Sequence, residues 1–258
     1  MLGDFLIHQR AKRRYYMRGP LGGGQNLRPL GAPSDTITYA QGVLAIANLL
    51  AYWKLDETSG TSAADASGNG YTGTYSGATL NNTAGPGGSM GNAPSFDGVN
   101  DRVTLPTLTG FSPSEGTLSI WCKVSGSGVW TDATNRAAMW AGVNSNNRYS
   151  VLKPTTNNTF RFVEVAGASS NTYNHTLSST AWFHIAYSWK STGNVIAYVD
   201  GSQVDSRAYT GTWSGTVYTG EIGAQNFSSI WWSGWLAHVA IYTRQLSASE
   251  ITILATAA

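Results

Sequence analysis

One short stretch, Asn194 to Ser206, constrains this chain more than any other. Asn194-Val-Ile-Ala-Tyr-Val199 runs into Asp200-Gly201 and then Ser202-Gln-Val-Asp-Ser206. Asp-Gly between two strand-like runs predicts a two-residue hairpin, because both positions tolerate the positive φ that such a turn demands. Thr192-Gly193-Asn194 supplies another turn just before it. Period-two alternation recurs elsewhere. Leu118, Ile120, Cys122 and Val124 alternate with Ser119, Trp121 and Lys123; Phe160–Val165, Trp182–Trp189 and Trp231–Tyr242 read the same way. Strands about ten residues apart, split by Gly, Asn and Ser turns and without a βαβ rhythm, predict an all-β sandwich or barrel.

Two short helices frame this pattern. Tyr39, Val43, Ile46 and Leu50 share one helical face, with Ser34 or Asp35 as the expected cap. Ser247 with Glu250 three residues on reads as a capping box that opens a helix over 247–254. Composition agrees with short strands and tight turns: charged residues make up 12%, Gly counts 30, and 10 Trp and 13 Tyr supply apolar area for a core between two sheets.

Charge divides the chain. Residues 1–46 hold six basic and two acidic side chains; the remainder holds ten and twelve. The expected organisation is a basic Gly/Pro-rich arm with a lead-in helix over 1–46, followed by one sandwich domain over 47–258. Gly22-Gly23-Gly24 and spaced prolines keep the arm from forming a core. Arg10, Lys12, Arg13, Arg14, Tyr15, Tyr16 and Arg18 are its anchoring candidates. They are expected to grip acidic protein surface in preference to nucleic-acid phosphates. Cys122 is the only cysteine, so no disulfide forms within the chain. Phe5 to Ile7 is too short for a signal peptide and precedes the charges, and no run approaches a membrane span.

Five motifs in order resemble the laminin-G-like, concanavalin-A-like jelly-roll family. They are Ala51-Tyr-Trp-Lys-Leu-Asp-Glu-Thr-Ser-Gly60, Asp65-Ala-Ser-Gly-Asn-Gly70, Ser95-Phe-Asp-Gly-Val-Asn-Asp101, the hairpin region Trp182–Ala186 with Tyr198–Gly201, and Ile241–Glu250. The resemblance implies a two-sheet antiparallel jelly-roll sandwich. The run Tyr39–Glu57 also resembles laminin-G-like modules in structural proteins of tailed bacteriophages. That resemblance implies a virion component, associated with capsid or tail, made in the host cytoplasm, neighboured by other virion proteins and by copies of itself.

Candidate sites follow from chemistry. Asp65, Ser67 and Asn69 place oxygens at alternate positions before Gly70, a spacing that suits Ca²⁺. An EF-hand would need an acid at Ser76, and the plainer reading is a hydrogen-bonded Asx turn. The family resemblance implies a metal site completed by acids near Ala237-His238, which are absent here; Asp97 is the further oxygen candidate. The cofactor expectation is none, or Ca²⁺. Trp130, Trp213, Trp231 and Trp232 lie in or near loops and are the candidate glycan-stacking residues. If 231–232 is extended, at most one of that pair faces the core. Catalysis finds little: Asp56 and Glu57 diverge, Glu164, Glu221 and Glu250 stand apart, the four histidines lack metal-ligand spacing and no G-x-S-x-G elbow occurs. The expected function is a non-enzymatic, arm-anchored virion protein with an outward adhesion or lectin-like domain that either adheres to cell-surface glycan or reinforces the shell. The alternatives are a free carbohydrate-binding module and, more remotely, a glycoside hydrolase.

Overall fold

The computed structural model describes residues 37–225 and 229–256, within one compact unit, Ile37–Ala258. The anchoring candidates Arg10 to Arg18 lie outside the described residues. In chain order the strands begin with β1 Leu49–Trp53, β2 Ser62–Ala63, β3 Gly73–Ser76, β4 Thr79–Ala84, β5 Asn92–Asp97 and β6 Arg102–Thr104. They continue with β7 Glu115–Val124, β8 Arg136–Asn144, β9 Asn147–Lys153, β10 Thr159–Ala166, β11 Ser169–Thr176 and β12 Phe183–Lys190. The last are β13 Asn194–Val199, β14 Ser202–Ala208, β15 Thr219–Ile222, β16 Ala224–Gln225, β17 Ile230–Trp231 and β18 Ser233–Tyr242. Helices α1 Tyr39–Ala45 and α2 Ala248–Leu254 flank them.

The strands form two antiparallel sheets. The first has the order β14-β13-β12-β7-β18-β5-β4, with β1 also paired to β18. The second runs β11-β10-β9-β8-β15-β6-β3-β2, and β16 and β17 make a separate small hairpin. The predicted turn is present: Asp200 and Gly201 adopt φ of 47° and 77° between β13 and β14. The main core fills the space between the sheets with Trp53, Phe96, Ile120, Phe160, Phe162, Trp189 and Trp232 among others, and Tyr149 stacks on Trp189 at 3.8 Å. This is the two-sheet jelly-roll sandwich that the sequence implied.

A second cluster covers the far face of the first sheet. Tyr39, Val43, Ile251 and Leu254 from the helices bury Tyr52, Trp121, Ala186, Ala240 and Tyr242. Polar atoms in this cluster are matched: Trp121 Nε1 donates to Tyr39 Oη (3.0 Å), and Tyr39 Oη donates to Leu254 O (2.8 Å). Helix α2 has the predicted Ser247/Glu250 capping box. Helix α1 is capped by Thr38 with Gln41, not by Ser34 or Asp35, and Leu50 belongs to β1 because the chain turns at Asn48 (φ 67°). The lead-in helix, grouped above with the arm, packs on α2 and the first sheet. No helix among the described residues is long and apolar enough to cross a membrane.

Candidate functional site on the open face of the second sheet

Period two decides which side chains leave the second sheet. Tyr149, Val151, Phe160 and Phe162 enter the main core, so Arg148, Ser150 and Leu152 on β9 and Arg161, Val163 and Val165 on β10 emerge on the other side. Ser170, Thr172 and Asn174 on β11 lie opposite the β10 set. No helix covers this face among the described residues. The β16–β17 hairpin lies against β8 and brings Gln225 and Ile230 to it. The result is a groove of about 340 Å³, lined by Arg148, Leu152, Arg161, Val163, Gln225, Ile230 and neighbours.

Beside it, Glu221 on β15 joins two aromatic rings. Its Oε2 accepts from Trp140 Nε1 at 2.9 Å, and its Oε1 lies 3.9 Å from Arg102 Nε. The Arg102 guanidinium lies 6.0 Å from the centre of the Trp231 ring. The half-buried Trp231 indole thus stands beside a guanidinium and a carboxylate, an apolar ring among directed polar groups.

Among the four tryptophan candidates, Trp231 is the one whose ring stands among these groups. Trp232 and Trp130 are corrections: both are fully buried, in the core between the sheets and at its rim beside Phe183. Adjacent strand residues point opposite ways, so burying Trp232 is what turns Trp231 outward. Trp213 is half-buried, stacked on Tyr149 at 4.9 Å, and closes one end of the core. Arg102, Trp140, Arg148, Arg161 and Glu221 were missed as a group. Their strands neighbour each other only in the folded sheet, although period two already put Arg161, Val163 and Val165 on one face of β10.

The oxygen-rich loop folds on its own backbone. Asp65 Oδ1 accepts from the Tyr52 and Ser67 amides, and Oδ2 accepts from the Tyr71 amide at 2.9 Å. Burial alone would raise its pKa, but these bonds together hold it below the usual carboxylate value. Ser67 Oγ accepts from the Asn69 amide, and Asn69 Nδ2 donates to the Leu49 and Leu50 carbonyls. Asp97 Oδ1 likewise accepts from Val99 and Asn100 amides. Among the described residues no three His, Cys, Asp or Glu side chains gather as a metal group. His238, where acids were implied, is buried. Its Nε2 must donate to the Met90 carbonyl (2.8 Å), so Nδ1 accepts from Tyr52 Oη (2.6 Å), and burial pulls its pKa down to about 4.

On β8–β11 and β15 the only acids are Glu164 and Glu221, and they face opposite ways. Glu164 shares its side with Phe160 and Phe162 and accepts from Asn171 Nδ2 at 2.7 Å; burial pushes its pKa up to about 7. Its Oε1 is buried without a hydrogen-bond partner among the described residues.

Residues 96–252 match the family described as the concanavalin A-like lectin/glucanases superfamily, Laminin_G_3, and the chain belongs to it. No curated protein matches the chain. Among solved structures, domain 4 of AbnA, a GH43 extracellular arabinanase from Geobacillus stearothermophilus, in complex with arabinotriose, is similar over 81% of this chain and 98% of its own, with TM-score 0.60 and 21% identity. The binding domain of botulinum neurotoxin serotype D matches over 81% of this chain with TM-score 0.61 and 13% identity. Botulinum neurotoxin type C, whose cell entry depends on two ganglioside molecules, matches with TM-score 0.61 and 15% identity. The chain spans about half the length of those toxin chains. At these identities the likeness concerns the fold.

Proposed function

We propose that this protein is a non-enzymatic carbohydrate-binding module whose glycan lies on the open face of the second sheet. The observation that carries it is the Trp231–Arg102–Glu221–Trp140 cluster, which sets a stacking ring among directed polar groups. The carbohydrate ligands named for similar structures support the ligand class. The opposed directions of Glu164 and Glu221 support binding without cleavage, since glycoside hydrolysis uses two carboxyl groups across one bond. The backbone bonds that hold Asp65 support binding without Ca²⁺. A glycan array tests this reading: wild type retains at least one glycan class, Trp231→Ala loses it by about tenfold or more, and no new reducing ends form on prolonged incubation. An empty array, or hits indifferent to Trp231→Ala, would sink it.

The setting we propose is the virion of a tailed bacteriophage, where copies of the chain sit among other structural proteins. The resemblance of Tyr39–Glu57 to phage modules and the basic residues of 1–46 support this. Deleting residues 1–36 then abolishes incorporation into particles; full incorporation of the truncated chain would overturn the setting and leave glycan binding untouched.

A further inference from the structure

We infer that the groove across β9, β10 and β11 selects glycans bearing an anionic group, a carboxylate or a sulfate, with Arg161 as the recognising residue. This rests on the glycan reading above and names its ligand class.

The floor of the groove is apolar. Leu152 and Val163 are buried together with Ala137, which pairs with Leu152 from β8, and Val165 and Ile230 pack alongside. An arginine stands towards each end. Arg161 is opposite Leu152 and Arg148 is opposite Val165, so four residues of β10 separate them, about 13 Å along the strand. That span suits two or more sugar rings in a row. The polar lining consists of Asn135, Ser170, Thr172 and Gln225 with the two arginines, and contains no carboxylate.

Among the described residues most other cations are matched by acids. Lys54 pairs with Asp56, Arg136 and Lys153 with Asp132, Arg207 with Asp205, and Arg244 with Glu250. Arg161 enters no ion pair among the described residues. Its Nε donates to Asn174 Oδ1 at 2.8 Å, which fixes the guanidinium plane and leaves both Nη groups for a ligand. Such a planar fork matches the two oxygens of a carboxylate or sulfate. Over an apolar floor the attraction is stronger than in open water. A neutral sugar would use the floor and the hydroxyl partners and leave the fork unused. A nucleic-acid strand would call for cations repeated along its backbone, and this groove has two.

The test is an array on which each glycan core appears neutral, sialylated, uronic-acid-bearing and sulfated, with a single-stranded oligonucleotide alongside. Wild-type protein should bind anionic members about tenfold or more tighter than their neutral partners, with a preference that falls as salt rises. Arg161→Gln should lose that preference and keep the residual affinity for neutral cores; Arg161→Lys should recover only part of it. Melting temperature controls for folding, and if Arg161→Gln does not fold, the wild-type preference and the Lys variant decide. Equal binding of neutral and anionic partners, lost in Trp231→Ala, would overturn this inference and leave the glycan reading standing. No glycan bound at all would remove both. An oligonucleotide bound as tightly as the best glycan would show a surface selective for charge alone and would also overturn it.

Discussion

The two sheets share one core but treat their outer faces in opposite ways. On the first sheet, β7 is buried along nearly its whole length, because α1 and α2 cover its outward residues. On the second sheet, β11 alternates half-buried and exposed from end to end. The covered face has spent its outward aromatics on stability: Trp121 and Tyr52 are held by hydrogen bonds inside the protein. The open face keeps an indole, arginines and amides at the surface. In a sandwich, a side chain's usefulness to a ligand depends less on its type than on whether another layer lies over its sheet.

The sharpest way to probe this contrast is acid. His184 and His238 both lie under the cover of the first sheet, with pKa values pulled down to about 3 and about 4 by burial. Unfolded histidines titrate near 6.5, so the native state holds fewer protons between these limits. Their stabilising contribution is complete above pH 6.5 and is lost as pH falls through the folded values. Denaturant melts should show a loss on the order of 5 kcal/mol between pH 6.5 and 4, most of it removed in a His184→Gln/His238→Gln double variant that still folds. A flat profile would mean the cover is looser than described. Truncation comes next. Trp121→Ala should cost about 3–5 kcal/mol in urea titrations, whereas Thr172→Ala on the open face should change stability by less than about 0.5 kcal/mol. Equal costs would erase the distinction between the faces.

Glu164 carries the opposite sign. Its folded pKa is raised to about 7, so its contribution is complete below the unfolded carboxyl value near 4.3 and is lost as pH rises to 7. Glu164→Gln should therefore gain on the order of 2 kcal/mol at pH 8 and nothing at pH 4, read as a pH-dependent difference in melting temperature. A smaller cost belongs to the helix that seals the first sheet: Ser247→Ala should cost about 1 kcal/mol with glycan binding unchanged.

Much of the frame could be read from local rules. Asp200-Gly201 and the Ser247/Glu250 box are signals carried by two and four residues, and both formed as expected. The opposed facing of Trp231 and Trp232 followed from strand geometry. The cover over the first sheet did not, since alternation puts Ser119, Trp121 and Lys123 on one face of β7 but does not show that α1 and α2, distant in sequence, are laid upon it. The groove stayed hidden for the same reason: alternation says that Arg161 points outward, but not that Arg148 and Gln225 will stand nearby. Asp65-x-Ser67-x-Asn69 is ambiguous at the level of spacing, because a calcium loop and an Asx turn use the same residues. The hydrogen-bond partners in the folded chain are what describe the turn.

The pairing of β18 has a consequence for how the chain is made. This strand lies between β7 and β5 and also pairs with β1, so Leu49 meets Tyr242 and Trp235 meets Ser95. During synthesis, β1, β5 and β7 emerge long before the strand that joins them. The β12–β13 and β9–β10–β11 hairpins can zip up as they leave the ribosome, but the first sheet cannot close until the last strand arrives. A chain stopped short of Ser233 would present the unpaired edges of three strands at once, a species suited to chaperone capture or to aggregation.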